Sequence, residues 1–202
     1  MFKSYVIIVK GHKLGEQFGT KALETGKSNG WNIERYNAVD GRIVTCKDLP
    51  KYNLKLHTGY KKQIAAMQRP GVFGNFLTHW QLWNLCVRLN EPIGCFEHDV
   101  IFKGPPPETS FKHLLKLDRL QKQKYYGTGQ CWQGAHAYII KPKGAKRLIE
   151  WAQKNGVMGA DIMIGDEIIN IAFNEDNLIG FNPESHTPDG KALHSTSKSM
   201  TF

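Results

Sequence analysis

Two carboxylates and an imidazole follow a short apolar run in the segment PIGCFEHDVIFKG, residues 92–104. The run predicts a short buried strand, and Glu97, His98 and Asp99 come directly after it. Because side chains alternate along an extended chain, Glu97 and Asp99 are expected on the same side of the chain, about 7 Å apart. Two such carboxylates can share one hard divalent cation, directly or through water. A polar strand end with two solvated acids is the alternative.

The elements around this segment predict an α/β fold with a mixed, mainly parallel sheet flanked by helices. YVIIV, residues 5–9, is typical of a central strand buried on both faces. Residues 14–30 have the pattern of a helix, and WNIERYNAV, residues 31–39, that of a second strand. A strand-helix-strand order is typical of a nucleotide-binding α/β unit. In open α/β sheets ligands collect at the carboxyl ends of strands, and Glu97 and Asp99 follow such an end.

The rest of the chain continues this alternation. Residues 74–90 predict an amphipathic helix, residues 135–142 a strand, and residues 143–156 a helix that ends at a glycine. Residues 111–124 are interpreted as a basic helix with exposed lysines, and residues 159–176 as a loop followed by a helix. His136 is interpreted as a core histidine of its strand. The chain is expected to form one domain over residues 1–202, with an irregular tail from about residue 182.

The composition is that of a globular protein with an unusually basic balance. The chain has 202 residues and a formal net charge of +9. Such a charge favours polyanionic partners, although a solvated basic surface that maintains solubility is the alternative. The four cysteines show no zinc-site spacing. There is no apolar run of membrane-spanning length and no signal-peptide pattern, so we expect a cytoplasmic protein, in the host cytoplasm if the chain is viral.

Four segments resemble glycosyltransferase family 25, the sugar transferases that act on lipopolysaccharide and collagen. YVIIVKGHKLGEQ resembles the opening strand and loop of the family, and RYNAVDGR its A-V-D-G segment. Residues 71–102 resemble its glycine, Ser/Thr-His, Trp and E-D-D pattern. Residues 134–152 resemble its tyrosine strand and lysine helix, and GADIMIGDE follows them. Together they cover most of the chain in the order of the family.

The resemblance implies a GT-A-like fold, a UDP-sugar or similar nucleotide-sugar donor, and Mn²⁺ or Mg²⁺ at the acidic motif. Asp99, with Glu97, would hold the metal that bridges the donor phosphates. His98 replaces the middle acid of the family, and it either ligates a softer metal such as Mn²⁺ or weakens metal binding by removing a negative charge. The residues expected to contact the donor are Val9, His12, Lys13, Asp40, Gly41, Thr78 and His79.

Sugar transfer also needs a base for the acceptor hydroxyl, within about 2.6–3.2 Å of it. The candidates are Asp161, Asp166 and Glu167, and Asp161 is preferred because it aligns with the acidic position of the family. Asp166 and Glu167 could instead be acids that complement a helix dipole. His194 is predicted as a further metal ligand if the tail folds over bound donor; a disordered surface tail is the alternative.

The placement of the positive charge suggests the kind of acceptor. Basic residues concentrate in residues 44–70 and 103–124, between the family-like segments. This favours a polyanionic acceptor, with hydroxymethylated bases in viral DNA preferred to phosphorylated lipopolysaccharide or another oligosaccharide. An inactive relative that only binds glycan or nucleic acid is the alternative of another class. A plain nucleic-acid-binding protein is disfavoured, because the chain lacks the common recognition motifs.

Overall fold

The computed structural model describes residues 2–59, 61–118, 122–124, 130–132 and 135–185, and for residues 62, 63, 122–124 and 130–132 it describes the backbone alone. The strands are β1 (Lys3–Ile8), β2 (Ile33–Asn37), β3 (Ile93–Glu97), β4 (Val100–Phe102), β5 (Leu114–Lys116), β6 (Lys122–Lys124), β7 (Gln130–Trp132), β8 (Ala137–Ile140), β9 (Ile171–Phe173) and β10 (Ile179–Phe181). The helices are α1 (Lys13–Ser28), α2 (Lys61–Met67), α3 (Pro70–Leu89), α4 (Pro142–Asn155) and α5 (Ala160–Met163), with a 3₁₀ helix at Cys46–Tyr52.

In the described part of the chain, a six-stranded sheet with the order β2-β1-β3-β8-β5-β9 forms the centre of the fold. All of its strands run in one direction except β8, which pairs antiparallel with both β3 and β5. The predicted fold class, a mixed and mainly parallel sheet flanked by helices, is therefore confirmed. Two-stranded pairs, β4 with β10 and β6 with β7, lie beside it. None of the helices described is long and apolar enough to cross a membrane.

The two faces of the sheet are covered by different helices. Cys95 and Tyr138 belong to a core with residues of α3 and α4, whereas their strand neighbours Phe96 and Ala137 belong to a core with Ala22 of α1. This division follows from the alternation of side chains along each strand. The side chain of Glu97 is on the same face as that of Cys95, toward α3, because side chains alternate along β3 and Phe96 between them faces α1.

Two of the predicted elements are wrong. Residues 111–124 are not a basic helix, because Leu114–Lys116 form the inner strand β5 and the Lys116 side chain is 0% exposed. The lysines suggested a solvated helix, yet the leucines around Lys116 alternate between both buried faces of the sheet. In residues 159–176 the helix is the short α5, and the β-branched run after it forms β9. Asp166 and Glu167 consequently lie in an exposed turn rather than at a helix N-terminus.

The loop after β2 lies directly on the first turns of α3. A Cβ atom on Gly74 would be 2.8 Å from the Gly41 nitrogen and 2.8 Å from the Val39 carbonyl oxygen. Thr78 joins the same two elements, since its hydroxyl accepts from the Val39 nitrogen at 2.9 Å and donates to the Gly74 carbonyl at 2.7 Å. Glycine is thus required here by close backbone approach.

We expect Gly74→Ala to destabilise the protein by about 1–3 kcal/mol, because the added methyl group would push apart two backbone segments that cannot yield as a side chain can. In an open helix the same change would stabilise by about 1 kcal/mol. Urea unfolding of the variant measures the difference, with Lys146→Ala on the exposed face of α4 as the control. A Gly74→Ala protein as stable as the wild type would show that the contact is loose.

Candidate functional site

Polar side chains meet where β3 and β8 come together at one edge of the sheet. β3 ends at Glu97, and the chain turns through His98 and Asp99 into β4. The antiparallel register between β3 and β8 places His136 opposite Glu97, whose backbone nitrogen donates to the His136 carbonyl oxygen at 2.7 Å. The turn, rather than a continued extended strand, brings Asp99 back toward Glu97.

Glu97, Asp99 and His136 form a group that could hold a metal ion. Each offers one ligand atom, and these atoms lie within 4.8 Å of one another. Nε2 of His136 is 3.4 Å from one carboxylate oxygen of Glu97, and the other oxygen accepts a hydrogen bond from Asn75 of α3 at 3.0 Å. Carboxylates with one imidazole suit Mn²⁺ and similar borderline metals, so the residues present fit the divalent cation that the resemblance implies.

The charges of this group are coupled. Burial alone would raise the pKa of Glu97, but the imidazoles of His136, His79 and His98 outweigh it, and the pKa is lowered. Burial alone would lower the pKa of His136, but the carboxylates of Glu97, Asp99 and Asp118 outweigh it, and the pKa is raised. The site therefore attracts positive charge, which is the electrostatic condition for binding a cation.

The imidazole of the group comes from His136, not from His98. The His98 ring stacks on Phe18 of α1, with centroids 6.3 Å apart and planes 15° from parallel. His136 is half-buried and directed at Glu97, so its interpretation as a core histidine is wrong. The local sequence does not predict that His136 lies next to Glu97, because their proximity depends on an antiparallel strand inside an otherwise parallel sheet.

Among the predicted bases, Asp161 is the one whose pKa is affected by the charges of this group. It lies half-buried on α5, and burial raises its pKa, with a further upward contribution from the charge of Glu97 and a downward one from His136. Asp166 and Glu167 lie in their exposed turn.

A narrow cleft opens next to the group, between the end of β1, the loop after β2 and the start of α3. Its volume is about 50 Å³, which is the space of one or two water molecules. Its walls include Val9, Val39, Gly41, Gly74, Thr78, Glu97 and His98. Glu97 belongs both to the wall of this cleft and to the candidate metal group.

Of the predicted donor-contacting residues, Val9, Gly41 and Thr78 line the cleft. His12 caps α1 by accepting from the Gly15 nitrogen at 3.0 Å, and burial, His98 and Arg42 lower its pKa. Asp40 is held by Arg42, whose guanidinium donates to both carboxylate oxygens at 2.7–3.0 Å. Lys13, at the start of α1, is exposed.

Of the remaining predicted site residues, His79 does not line the cleft. His79 is 0% exposed inside the core, where its Nδ1 is 2.7 Å from the Tyr138 hydroxyl, and Trp83 donates to the same hydroxyl at 3.0 Å. Burial lowers the pKa of His79 to about 4, so the ring is neutral near pH 7. His194 lies outside the described residues.

No protein-family model matches the chain, and no curated protein matches it in sequence. Among solved structures, it is similar to a mutant of the Drosophila β1,4-galactosyltransferase 7 in complex with manganese, UDP-Gal and xylobiose, with 9% identity, a TM-score of 0.44, and coverage of 100% of this chain and 80% of that chain. It is also similar to two structures of the glycosyltransferase GlyE from Streptococcus pneumoniae TIGR4, with 11% identity, a TM-score of 0.46, and coverage of 87% of this chain.

This chain spans 45% and 46% of the two GlyE chains. The solved structures that it resembles are thus glycosyltransferases. Similarity this loose carries no argument about activity, which has to come from the site itself.

The buried His79 predicts a loss of stability in acid. Its pKa is about 4 in the folded state and 6.5 ordinarily, so between these values the unfolded state binds a proton that the folded state excludes. Stability therefore falls as pH falls through this window. We expect wild type to lose about 3 kcal/mol more than His79→Gln between pH 7 and pH 4, measured by urea unfolding. Equal losses in the two proteins would contradict this account.

Proposed function

We propose that this chain is a nucleotide-sugar-dependent glycosyltransferase of the family 25 type, which moves a sugar from a UDP-sugar or a related donor to a hydroxyl group. The observation that carries the proposal is the convergence of Glu97, Asp99 and His136 beside the cleft. A cation held by these three residues would stabilise the negative charge of a departing diphosphate. The donor would bind across the mouth of the cleft, next to that charge, because the cleft itself, at about 50 Å³, is too small to enclose a nucleoside.

The residues around the cleft have distinct roles under this proposal. The nucleoside would lie against the end of β1 and Gly41 of the loop after β2. Asn75 donates a hydrogen bond to one carboxylate oxygen of Glu97 and so fixes the orientation of the other carboxylate oxygen. His12 and Lys13 are the proposed contacts of the donor phosphates, and the ammonium group of Lys13 would attract them electrostatically.

Asp161 is the proposed general base. The proposal is supported by its alignment with the acidic position of the resembled family and by the effects of the Glu97 and His136 charges on its pKa. Burial and the charge of Glu97 make its carboxylate a better proton acceptor than an exposed aspartate. In this role it accepts the proton of the acceptor hydroxyl as the new bond forms.

Donor binding tests the proposal first. We expect UDP-sugar with Mn²⁺ to raise the thermal midpoint of wild type, because a ligand that binds the folded state stabilises it by mass action, by about 2.7 kcal/mol at a hundredfold excess over Kd. Asp99→Asn should abolish the shift. Asp176→Asn, the same chemical change in an exposed turn, is the matched control and should retain it. No shift with any of the UDP-, GDP- and CMP-sugars would contradict donor binding.

The acceptor is proposed to be a polyanion, with hydroxymethylated bases of DNA preferred to a phosphorylated saccharide. The net charge of +9 supports this, as do the exposed Lys47, Lys55, Lys61 and Arg69 in residues 44–70. That segment ends next to the start of α3, where the cleft lies. The second basic segment supports it less, because Lys116 is buried there.

Turnover tests the enzyme and its acceptor together. We expect Asp161→Asn to lower kcat by about 10²–10⁴-fold without weakening donor binding, since a missing base affects the transition state and not the ground state. Transfer is measured on hydroxymethylcytosine DNA and on phosphorylated and neutral oligosaccharides, with Asp176→Asn as the control. Transfer to saccharide alone would rule out the DNA acceptor. Acceptor binding without any transfer would favour the inactive binding module.

A further inference from the structure

Asn75 contacts the candidate metal group from the first turns of α3. Its amide nitrogen Nδ2 donates a hydrogen bond to Oε1 of Glu97 at 3.0 Å, and both side chains are half-buried. The other oxygen of this carboxylate, Oε2, is 3.4 Å from Nε2 of His136. The two oxygens of Glu97 therefore have different neighbours, an amide on the helix and an imidazole on the adjacent strand.

The spacing of α3 and β3 explains why a helix residue reaches Glu97. Asn75 and His79 are four residues apart, so they lie on one face of α3, about 6 Å apart along its axis. His79 contacts the hydroxyl of Tyr138, with Nδ1 2.7 Å away. Tyr138 pairs with Cys95, which precedes Glu97 by two residues, or about 7 Å along β3. One helical turn thus matches two strand residues, and each of the two helix residues has a partner on the sheet.

The first turns of α3 are also held from their other side. Gly74, the neighbour of Asn75, packs closely on the backbone of the loop after β2, and Thr78 accepts a hydrogen bond from the same loop. These contacts restrict movement of the helix at this point. The amide of Asn75 is therefore fixed in place, and the carboxylate of Glu97 takes its orientation from it.

A carboxylate can bind a cation through one oxygen or through both, and cations differ in which they favour. Ca²⁺ takes about six to eight oxygen ligands, often with a carboxylate that binds through both of its oxygens. Mg²⁺ and Mn²⁺ favour octahedral sites with about six ligands. Because Oε1 of Glu97 accepts the hydrogen bond from Asn75, Oε2 is the oxygen left for a cation. Binding through one oxygen suits an octahedral cation better than Ca²⁺.

We propose that Asn75 is a specificity-determining residue of the metal group, which limits Glu97 to binding through one oxygen and so selects Mn²⁺ over Ca²⁺. The inference rests on the metal group of the proposed function and adds a residue that does not touch the cation. It gives the orientation of Glu97 a consequence for the choice of cation, beyond the strength with which the cation is held.

Direct metal binding tests the inference without any turnover. The Kd for Mn²⁺ is measured by electron paramagnetic resonance of free Mn²⁺, and the Kd for Ca²⁺ by competition with Mn²⁺, with folding checked by circular dichroism. Asn75→Leu removes the amide at similar volume, and Asn75→Ala carries the test if Asn75→Leu does not fold. Glu97→Gln shows whether the metal group itself binds the cation. Asn174→Leu is the matched control, because it removes an amide that donates to the carboxylate of Asp176 at 3.1 Å.

We expect wild type to bind Mn²⁺ more tightly than Ca²⁺. Asn75→Leu should bind Mn²⁺ about 10–100-fold more weakly, which is the typical cost of losing a residue that orients a metal ligand. The affinity for Ca²⁺ should fall less, because Glu97 then has a second oxygen to offer that partly offsets the loss. The ratio of the two Kd values therefore moves toward Ca²⁺ in Asn75→Leu, and it stays at the wild-type value in Asn174→Leu.

The same measurements separate a failure of this inference from a failure of the proposed function. If Asn75→Leu weakens Mn²⁺ and Ca²⁺ equally, or changes neither, while Glu97→Gln loses Mn²⁺, the selective role is refuted and the metal group stands. Wild type that binds Ca²⁺ as tightly as Mn²⁺ would also refute the selective role. Wild type that takes up no Mn²⁺ would overturn the metal group itself and the inference with it.

Discussion

The antiparallel pairing of β3 with β8 is the constraint on which the site depends. It places His136 opposite Glu97, with their side chains 3.4 Å apart, and the turn after β3 returns Asp99 to the same place. Had β8 run parallel to its neighbours, its first residue would lie at the opposite edge of the sheet. One reversed strand therefore converts a pair of acids into a three-residue group that contains a nitrogen ligand.

Charge balance explains how so many ionisable groups can share this edge. Glu97, Asp99, Asp118 and Asp161 are negative in their ionised forms, and Lys116 and His136 are their positive counterparts within the same region. The carboxylates raise the pKa of His136, while His136 helps to keep the pKa of Glu97 low. Partial neutralisation lets the edge fold, and the remaining excess of acid is suited to a divalent cation.

The cleft depends on a different physical device, the close approach of two backbones. Gly41 and Gly74 let the loop after β2 lie on α3, and Thr78 joins the two with hydrogen bonds. Rigid packing at this point determines the width of the cleft. Two independent features of the fold, a strand register and a glycine contact, thus meet at Glu97, which belongs to both the metal group and the cleft wall.

The sequence by itself determined the fold class, the helices α1, α3 and α4, and the acids Glu97 and Asp99 at a strand end. These features depend on local signals, namely the spacing of hydrophobic residues and the polar residues that follow a strand. The sequence pattern misassigned residues 111–124, since a buried lysine looks locally like a solvated one. Only the tertiary structure decided that His136 joins the acids, that His98 turns to Phe18, and that Lys116 is buried in an ion pair with Asp118. These depend on contacts between elements far apart in the chain, and register and direction follow from packing of the whole sheet.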